Sequence, residues 1–396
     1  MADPQPPTLN SYIPEDIVLE ILARLPVKSL LSFRRVCKSW NSIISSPYFM
    51  ATHLKYGPRR GYYLLYQTMF AEIHESSCTV VCDRTYDRIS ELEPPFTHSG
   101  IVGSCNGLLC VESRGFRRLS LWNPSIARFK ILPAPCLARG YRSFTYGFTY
   151  VSEENDFKIV KISYSEFTTT LPRAQVYTLS SNSWRRIDEP IPLKPDALIY
   201  NIGCNHLPCP CIAGALHWIV RSKGSDDWRD NKKILSFDLR DEKFGEIALP
   251  NSYLYYDGWE YLGLFKGKLA SFSFANCRIG IWVMTDYGMA ESWTLLRTVE
   301  YEPGVVDFRG CTDGGAVVIA RMRREFCTLS FIETEEASHD RVRTINGGHL
   351  VVFAAPFVES LALLDGSESV QSLHARTNQG GRDLINEAFP FIKEID

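Results

Sequence analysis

The sequence predicts an α+β multidomain chain: a small N-terminal module of three helices, then a large all-β domain of about six repeated sheets closed into a ring. Two observations predict it. The hydrophobic period is helical over residues 12–55 and alternating from Gly61 onward. Beyond that point an aromatic marks a recurrent unit at Trp122, Tyr177, Phe237, Trp282 and Phe331, in steps of 45 to 60 residues. That is the size of a propeller blade.

In the helical module, Pro14 fits the first position of a helix, and Glu15 and Asp16 stand where the helix dipole favours negative charge. Glu20 and Arg24 are one turn apart and suited to pair. Ile17, Val18, Ile21, Leu22 and Leu25 form one apolar stripe, and Pro26 ends the helix. Leu30, Leu31, Phe33, Val36, Cys37, Trp40, Ile43 and Ile44 carry the same period through a second and a third helix. A last turn starts at Ser46-Pro47, with Ser46 as its N-cap. A module of about 45 residues is near the lower limit for a self-sufficient core. Its apolar side chains outnumber what three short helices can bury, so it requires a partner. Residues 10–60 hold eight basic and three acidic side chains, a net +5, so an acidic partner surface is expected.

In the β domain, residues 62–66 and 79–82 read as strands, with a turn at 83–87. One half of the later repeat is a Gly before a strand: Asn106-Gly107, Ala213-Gly214, Lys266-Gly267 and Asp313-Gly314-Gly315. The other half is a hairpin with aromatics seven apart: Trp122 with Phe129, Tyr177 with Trp184, and Phe237 with Phe244. An odd spacing across a turn returns both rings to one face. Trp282 and Trp293 are expected to repeat the pattern around a longer turn. A four-stranded blade cannot hide both faces alone, so the blades must close into a ring. Residues 349–358 are expected to complete the first blade. An open β-sandwich is the alternative architecture.

Hydrophobic residues make up 45% of the chain and charged residues 22%, an ordinary globular balance. With 43 basic and 45 acidic side chains the net charge is −2, which favours neither nucleic acid nor an anionic membrane as partner. Residues 1–10 lack the apolar centre of a secretory signal. The apolar stretch 350–364 is broken by Pro356 and Glu359 and falls short of the roughly 20 residues of a spanning helix. A cytoplasmic and/or nuclear location with no membrane segment is therefore expected. The 12 cysteines then read as reduced thiols.

The run Ile13-Pro14-Glu15-Asp16-Ile17-Val18-Leu19-Glu20-Ile21-Leu22-Ala23-Arg24-Leu25-Pro26-Val27-Lys28-Ser29-Leu30, continued by Val36-Cys37-Lys38-Ser39-Trp40, resembles the F-box motif in its plant form. It departs at Ile13, where the family more often has Leu. The stretches Gly103-Ser104-Cys105-Asn106-Gly107-Leu108-Leu109, Leu121-Trp122-Asn123-Pro124-Ser125, Ser180-Ser181-Asn182-Ser183-Trp184-Arg185 and Ile234-Leu235-Ser236-Phe237-Asp238-Leu239, with residues 281–293, resemble the plant F-box-associated domain, related to kelch-type repeats. The resemblance implies an F-box at 10–55, a kelch-like β-propeller at 60–365 and a C-terminal tail at 366–396. It further implies a substrate-recognition subunit of an SCF-type (Skp-cullin-F-box) E3 ubiquitin ligase. The F-box would bind a Skp-family adaptor, and through it cullin, while the propeller binds a protein substrate for ubiquitination and degradation. By this resemblance Pro14, Ile17, Ile21, Leu22, Leu25, Pro26, Leu30, Val36 and Trp40 divide between adaptor contact and the module's own core. The sequence leaves that division open.

Cys204, His206, Cys209, Cys211 and His217 lie within fourteen residues, but their Cys-x4-Cys-x-Cys spacing is not that of a zinc ribbon or finger. Cys78 and Cys82 lack a second pair. There is no nucleophile elbow, Walker loop or dinucleotide fingerprint, and residues 310–315 read as a turn. A non-catalytic receptor without metal or cofactor is therefore expected. The competing readings are a propeller oxidase or hydrolase, and an F-box scaffold that marks nothing. Substrate choice is expected from loops on one face of the ring. Tyr253, Tyr255, Tyr256 and Trp259 lead, followed by Trp228, because Tyr and Trp dominate binding hot spots.

Overall fold

Asn106-Gly107, Ala213-Gly214 and Lys266-Gly267 each place two successive residues in the left-handed region in the computed structural model of the protein, with φ of 47° and 78°, 51° and 76°, and 48° and 75°. Two positive φ angles in a row are what a two-residue hairpin turn needs for its twist to match its strands. The flanking residues pair directly: Cys105 with Leu108, Ile212 with Ala215, and Phe265 with Lys268. The aromatic hairpins share a second turn. Trp122 pairs with Phe129, Tyr177 with Trp184, and Phe237 with Phe244. In each, the residue two before the second aromatic is left-handed: Ala127, Asn182 and Glu242. Trp282 and Trp293 depart from the pattern. A bulge after Ile281 sets Trp282 opposite Leu295 and Trp293 opposite Met284, so the two indoles do not pair.

The structure describes residues 13–57, 63–69, 76–96, 99–113, 118–135, 141, 143–165, 170–194, 197–199, 207–221, 232–250, 259–301, 303–323, 326–333, 342–346, 350–362 and 366–373. The helices are α1 (Glu15–Ala23), α2 (Val27–Phe33), α3 (Lys38–Ser45) and α4 (Pro47–Tyr56). The strands are β1 (Tyr63–Met69), β2 (Ser76–Cys82), β3 (Arg88–Leu92), β4 (Ser99–Cys105), β5 (Leu108–Ser113), β6 (Arg118–Asn123), β7 (Arg128–Ile131), β8 (Ser143–Val151), β9 (Asp156–Tyr164), β10 (Arg173–Thr178), β11 (Ser183–Ile187), β12 (Leu198–Ile199), β13 (Cys211–Ile212), β14 (Ala215–Arg221), β15 (Lys232–Asp238), β16 (Phe244–Ala248), β17 (Trp259–Phe265), β18 (Lys268–Ala275), β19 (Arg278–Met284), β20 (Trp293–Glu300), β21 (Val305–Cys311), β22 (Val317–Arg323), β23 (Phe326–Ile332), β24 (Val342–Asn346), β25 (Leu350–Phe357) and β26 (Glu368–Ser369).

They form six antiparallel blades. Blade one is β25-β1-β2-β3, blade two β4 to β7 with β26 on its outer edge, and blade three β8 to β11. Blade four is β12 to β16, blade five β17 to β20 and blade six β21 to β24. The sequence reading of three helices and about six sheets thus stands with one addition. The expected last turn at Ser46-Pro47 is a fourth helix of ten residues. Ser46 Oγ accepts from the Phe49 N–H at 3.1 Å, and Phe49 and His53 are buried on its inner side, which holds the extra turns. Pro14 caps α1 rather than standing inside it.

The last long strand closes the ring. β25 pairs with β1 from Tyr63 opposite Phe357 to Met69 opposite Leu350, so it completes the first blade. Each of the six seams between neighbouring blades holds its own apolar cluster. At the closing seam Tyr86 of blade one stacks on Phe331 of blade six, ring centroids 4.0 Å apart. The buried Arg309 donates to the Val351 carbonyl of β25 at 2.8 Å and pairs with Asp307 at 2.8 Å. Asp307 also accepts from the Tyr261 hydroxyl at 3.1 Å. Blades five, six and one are tied by this chain, and a buried charge of this kind is tolerated because it is paired. Two indoles repeat a second latch: Trp184 Nε1 donates to the Pro133 carbonyl at 2.8 Å and Trp293 Nε1 to the Ala248 carbonyl at 2.9 Å, each reaching the preceding blade. β26 pairs with β7 and Val370 is buried between blades one and two, so residues 366–373, set apart from sequence as tail, border the ring.

Phe353, 1% exposed in the middle of β25, tests the closure. Phe353→Ala is expected to lower the unfolding free energy by about 3–5 kcal/mol, read as a lower denaturant midpoint at unchanged slope. A loss below about 1 kcal/mol would show that the closing strand is not held by its burial.

Candidate functional site and its two docking surfaces

α1 starts at Glu15 with two acidic residues in its first turn, and Arg24 Nη2 donates to Glu20 Oε1 at 2.6 Å on its exposed side. Its apolar stripe is wide enough to be split. Leu22 and Ala23 join Val27, Leu30, Ile44 and Phe49 in the core. Ile17 and Ile21, one turn apart, are 42% and 50% exposed, and Ile13, just before the helix, is exposed too. Val36, at the corner between α2 and α3, is 62% exposed. Leu25 and Trp40 are half-buried, and the Trp40 ring meets Phe33 edge-on at 5.3 Å. Pro14 and Pro26, at the two ends of α1, are exposed. The buried His53 ring donates from Nε2 to the Leu25 carbonyl at 2.9 Å, and burial pushes its pKa below the ordinary imidazole value. A neutral imidazole therefore holds α4 against the end of α1. Covering the roughly half of each Ile or Val that is exposed is worth about 1 kcal/mol, so these side chains are a candidate docking surface for an apolar partner.

The module is joined to the ring at blade two. Leu361, which follows β25, enters the helical core, and Ile126 of the 3-10 turn Pro124–Ile126 packs against the same core. Asn123 Nδ2 donates to the carbonyls of Ser360 at 2.8 Å and Ala362 at 2.7 Å. Gly107 is required here twice over. Its φ is +78°, and a Cβ would lie 2.5 Å from that of Ser360 and 2.6 Å from the Val358 carbonyl oxygen.

The second surface is the far rim of the ring. The turns at 106–107, 213–214 and 266–267 lie on the face that carries the helices. β14 ends at Arg221, β15 begins at Lys232, β16 ends at Ala248 and β17 begins at Trp259, all at the opposite end of their hairpins. Trp259 is 51% exposed there. Behind it Glu260 accepts from Lys232 Nζ at 3.2 Å, a largely buried ion pair that joins blades four and five. Trp228, Tyr253, Tyr255 and Tyr256 lie outside the described residues, as do Cys204 and His206.

The cysteine and histidine cluster has a structural use where it is described. His217 Nδ1 meets the Pro210 carbonyl at 3.2 Å and Nε2 meets the Tyr287 hydroxyl at 2.9 Å. A carbonyl only accepts, so Nδ1 carries the proton and Nε2 accepts from Tyr287. Burial pushes the His217 pKa down to about 4. Cys209 Sγ donates to the His217 carbonyl at 3.2 Å, and burial raises its pKa well above the ordinary thiol value. Among the described residues no three His, Cys, Asp or Glu side chains are grouped to hold a metal ion, and no helix is long and apolar enough to cross a membrane.

Comparison with known proteins agrees with this division into helices and ring. Residues 11–52 match the family described as F-box domain, and residues 67–353 match the F-box associated beta propeller domain. The chain belongs to the plant F-box proteins that carry an associated β-propeller. The F-box/kelch-repeat protein At3g23880 of Arabidopsis thaliana is 26% identical over 314 residues, covering 75% of this chain and 81% of that one. The F-box protein CPR1 of the same plant is 29% identical over 322 residues, 75% of each chain. Among solved structures, TolB from Acinetobacter baumannii aligns at 10% identity with a TM-score of 0.46, over 75% of this chain and 66% of that one. This last likeness is too slight to bear on fold or function.

Of the F-box residues singled out from sequence, Leu22 and Leu30 are interior, Leu25 and Trp40 half-buried, and Pro14, Ile17, Ile21, Pro26 and Val36 at the surface. Sequence reasoning missed Leu361 and Ile126, which attach the F-box to the ring. The signal for Leu361 lay in the apolar stretch 350–364, whose sequence reading as a closing strand stops at residue 358. The neutral His217 makes a testable demand on pH. Between about pH 6.5 and 4 the unfolded chain binds a proton on this ring and the folded chain does not, so stability falls as pH drops through that window, by up to about 3 kcal/mol from this group. His217→Gln is expected to flatten the melting profile between those pH values. Parallel profiles for the two proteins would show that another group governs the acid loss.

Proposed function

We propose that this F-box protein is the substrate-recognition subunit of an SCF-type E3 ubiquitin ligase, acting in the cytoplasm or nucleus. A Skp-family adaptor, and through it cullin, covers the exposed Ile13, Ile17, Ile21 and Val36. The far rim of the ring, with Trp259 at its edge, holds a target protein for ubiquitination and degradation. The observation that carries the reading is four exposed apolar side chains, Ile13, Ile17, Ile21 and Val36, on a helical segment of net positive charge, on a module already anchored to the ring through Leu361. Isolated apolar side chains on a surface need no explanation, but four on one small module do. The two docking surfaces lie on opposite faces, so the ring acts as a spacer between adaptor and target, and catalysis by partners arises from proximity. The name of the relative At3g23880 supports reading the ring as kelch-like.

The test uses the full chain carrying Ile21→Asp and Val36→Asp together. Both side chains are at the surface, so the melting temperature should change by no more than about 2 °C. Adaptor binding should weaken at least about a hundredfold, since burying an unpaired charge in an apolar contact costs several kcal/mol. Truncating Leu25 or Trp40 would confuse docking with folding, because both pack on the core. Retained adaptor binding in the double variant would remove the assigned face. Trp259→Ala makes a separate demand: adaptor binding unchanged, and reduced capture of the proteins that accumulate when the chain is depleted. Undiminished capture would take Trp259 out of the target surface.

A further inference from the structure

Charge is unevenly placed along the F-box. From Leu25 to Gly57 the sequence carries five basic side chains, Lys28, Arg34, Arg35, Lys38 and Lys55, and no acidic one. At the corner between α2 and α3, Arg35 and Lys38 are exposed, and between them Val36 is 62% exposed and the Cys37 thiol is exposed too. A basic corner with an apolar side chain among its charges fits a segment that is both acidic and apolar.

The chain carries such a segment near its end. Residues 383–396 hold four acidic residues against one basic, with Leu384, Ile385, Phe389 and Ile392 among their apolar side chains. They lie outside the described residues, but the chain that leads to them is placed. β26 runs antiparallel to β7, with Glu368 opposite Phe129 and Ser369 opposite Arg128, and the Val370 N–H donates to the Ala127 carbonyl at 3.0 Å. It therefore heads for the face that carries the helices, and Ile126, next to Ala127 in sequence, packs on the F-box core. Beyond Leu373, the ten residues 374–383 span up to about 33 Å when extended. α4, with ten residues the longest of the four helices, is about 15 Å long. Residues 383–396 can thus reach any part of the F-box.

We propose that residues 383–396 dock on the corner of Arg35, Val36 and Lys38 and shield the F-box from its adaptor, as an autoinhibitory contact. The tether supplies an effective concentration on the order of 1 mM, so a contact with a Kd of only about 0.1 mM between separate molecules covers about nine chains in ten. An adaptor then meets a mostly closed F-box and binds it about tenfold more weakly than an open one. The shielding rests on the ligase reading, whereas the docking does not and is measured on the chain alone.

Cys37 is the reporter. In the full chain, Phe389→Asp with Ile392→Asp should speed labelling of Cys37 by iodoacetamide about tenfold. Cys277, in the turn between β18 and β19 on the far rim, should label at an unchanged rate. Glu387→Gln with Glu394→Gln keeps the apolar side chains and should speed Cys37 labelling about threefold, and it decides where the first pair lowers the melting temperature. Equal rates in wild type and both variants overturn the docking. A wild-type rate that falls as protein concentration rises puts the tail on a second copy and overturns the intramolecular contact. With purified Skp-family adaptor, Phe389→Asp with Ile392→Asp should bind about tenfold more tightly than wild type. Faster labelling with unchanged adaptor affinity overturns the shielding. Faster labelling with no adaptor binding by any of the three proteins supports the docking and sinks the shielding together with the ligase reading.

Discussion

Closure of the ring by β25 is the constraint on which the rest of the molecule depends. A blade has two apolar faces and can bury them only against neighbours on both sides, so six blades in a row leave two faces wet until the ends meet. The join is made by one strand from the far end of the domain, laid along β1 over its whole length. Arg309 secures it from blade six through the Val351 carbonyl, and the Tyr86 ring on Phe331 fills the outer part of the same seam. The chain then leaves β25 on the face where the helices stand, and four residues later Leu361 is inside the helical core. Ring closure and attachment of the F-box are therefore one structural event.

Much of this was legible because local rules repeat. The Gly before a strand marks a hairpin turn three times with nearly the same pair of φ angles, and aromatics seven apart sit opposite one another three times. Where a local rule met a non-local demand, the sequence misled. Trp293 is drawn to the Ala248 carbonyl on blade four, and the bulge beside Trp282 takes up the slack. The fourth helix was legible only as a capped turn at Ser46-Pro47, because its further turns are held by Phe49 and His53 packing on other elements, not by propensity. The division of the α1 stripe was unreadable for a similar reason. Ile21 and Leu22 are neighbours of the same chemistry, and only the placement of α2, α3 and Leu361 decides which of them points inward.

The two tight imidazoles show how the same buried chemistry serves packing rather than catalysis. His53 and His217 each donate to a backbone carbonyl, and burial lowers the pKa of both, so each is a neutral, directional peg. His53 pins α4 to the end of α1, and His217 links Pro210 in blade four with Tyr287 in blade five. In His217 both ring nitrogens are committed, Nδ1 to the Pro210 carbonyl and Nε2 to the Tyr287 hydroxyl, so the ring has no lone pair left for a metal.

A receptor working by proximity, as proposed for this chain, would need more than two docking surfaces, because effective concentration falls when the link between them is loose. Here the link is a packed joint rather than a linker. Asn123 holds the chain after β25 by two hydrogen bonds from one amide, Gly107 approaches it so closely that no side chain fits, and Leu361 is shared with the F-box core. Each of these contacts comes from a different element, so no single hinge residue separates the F-box from blade two. The pose of the far rim relative to the exposed apolar side chains of the F-box is then set by the same packing that folds the chain, and a substitution at the joint alters both stability and that pose together.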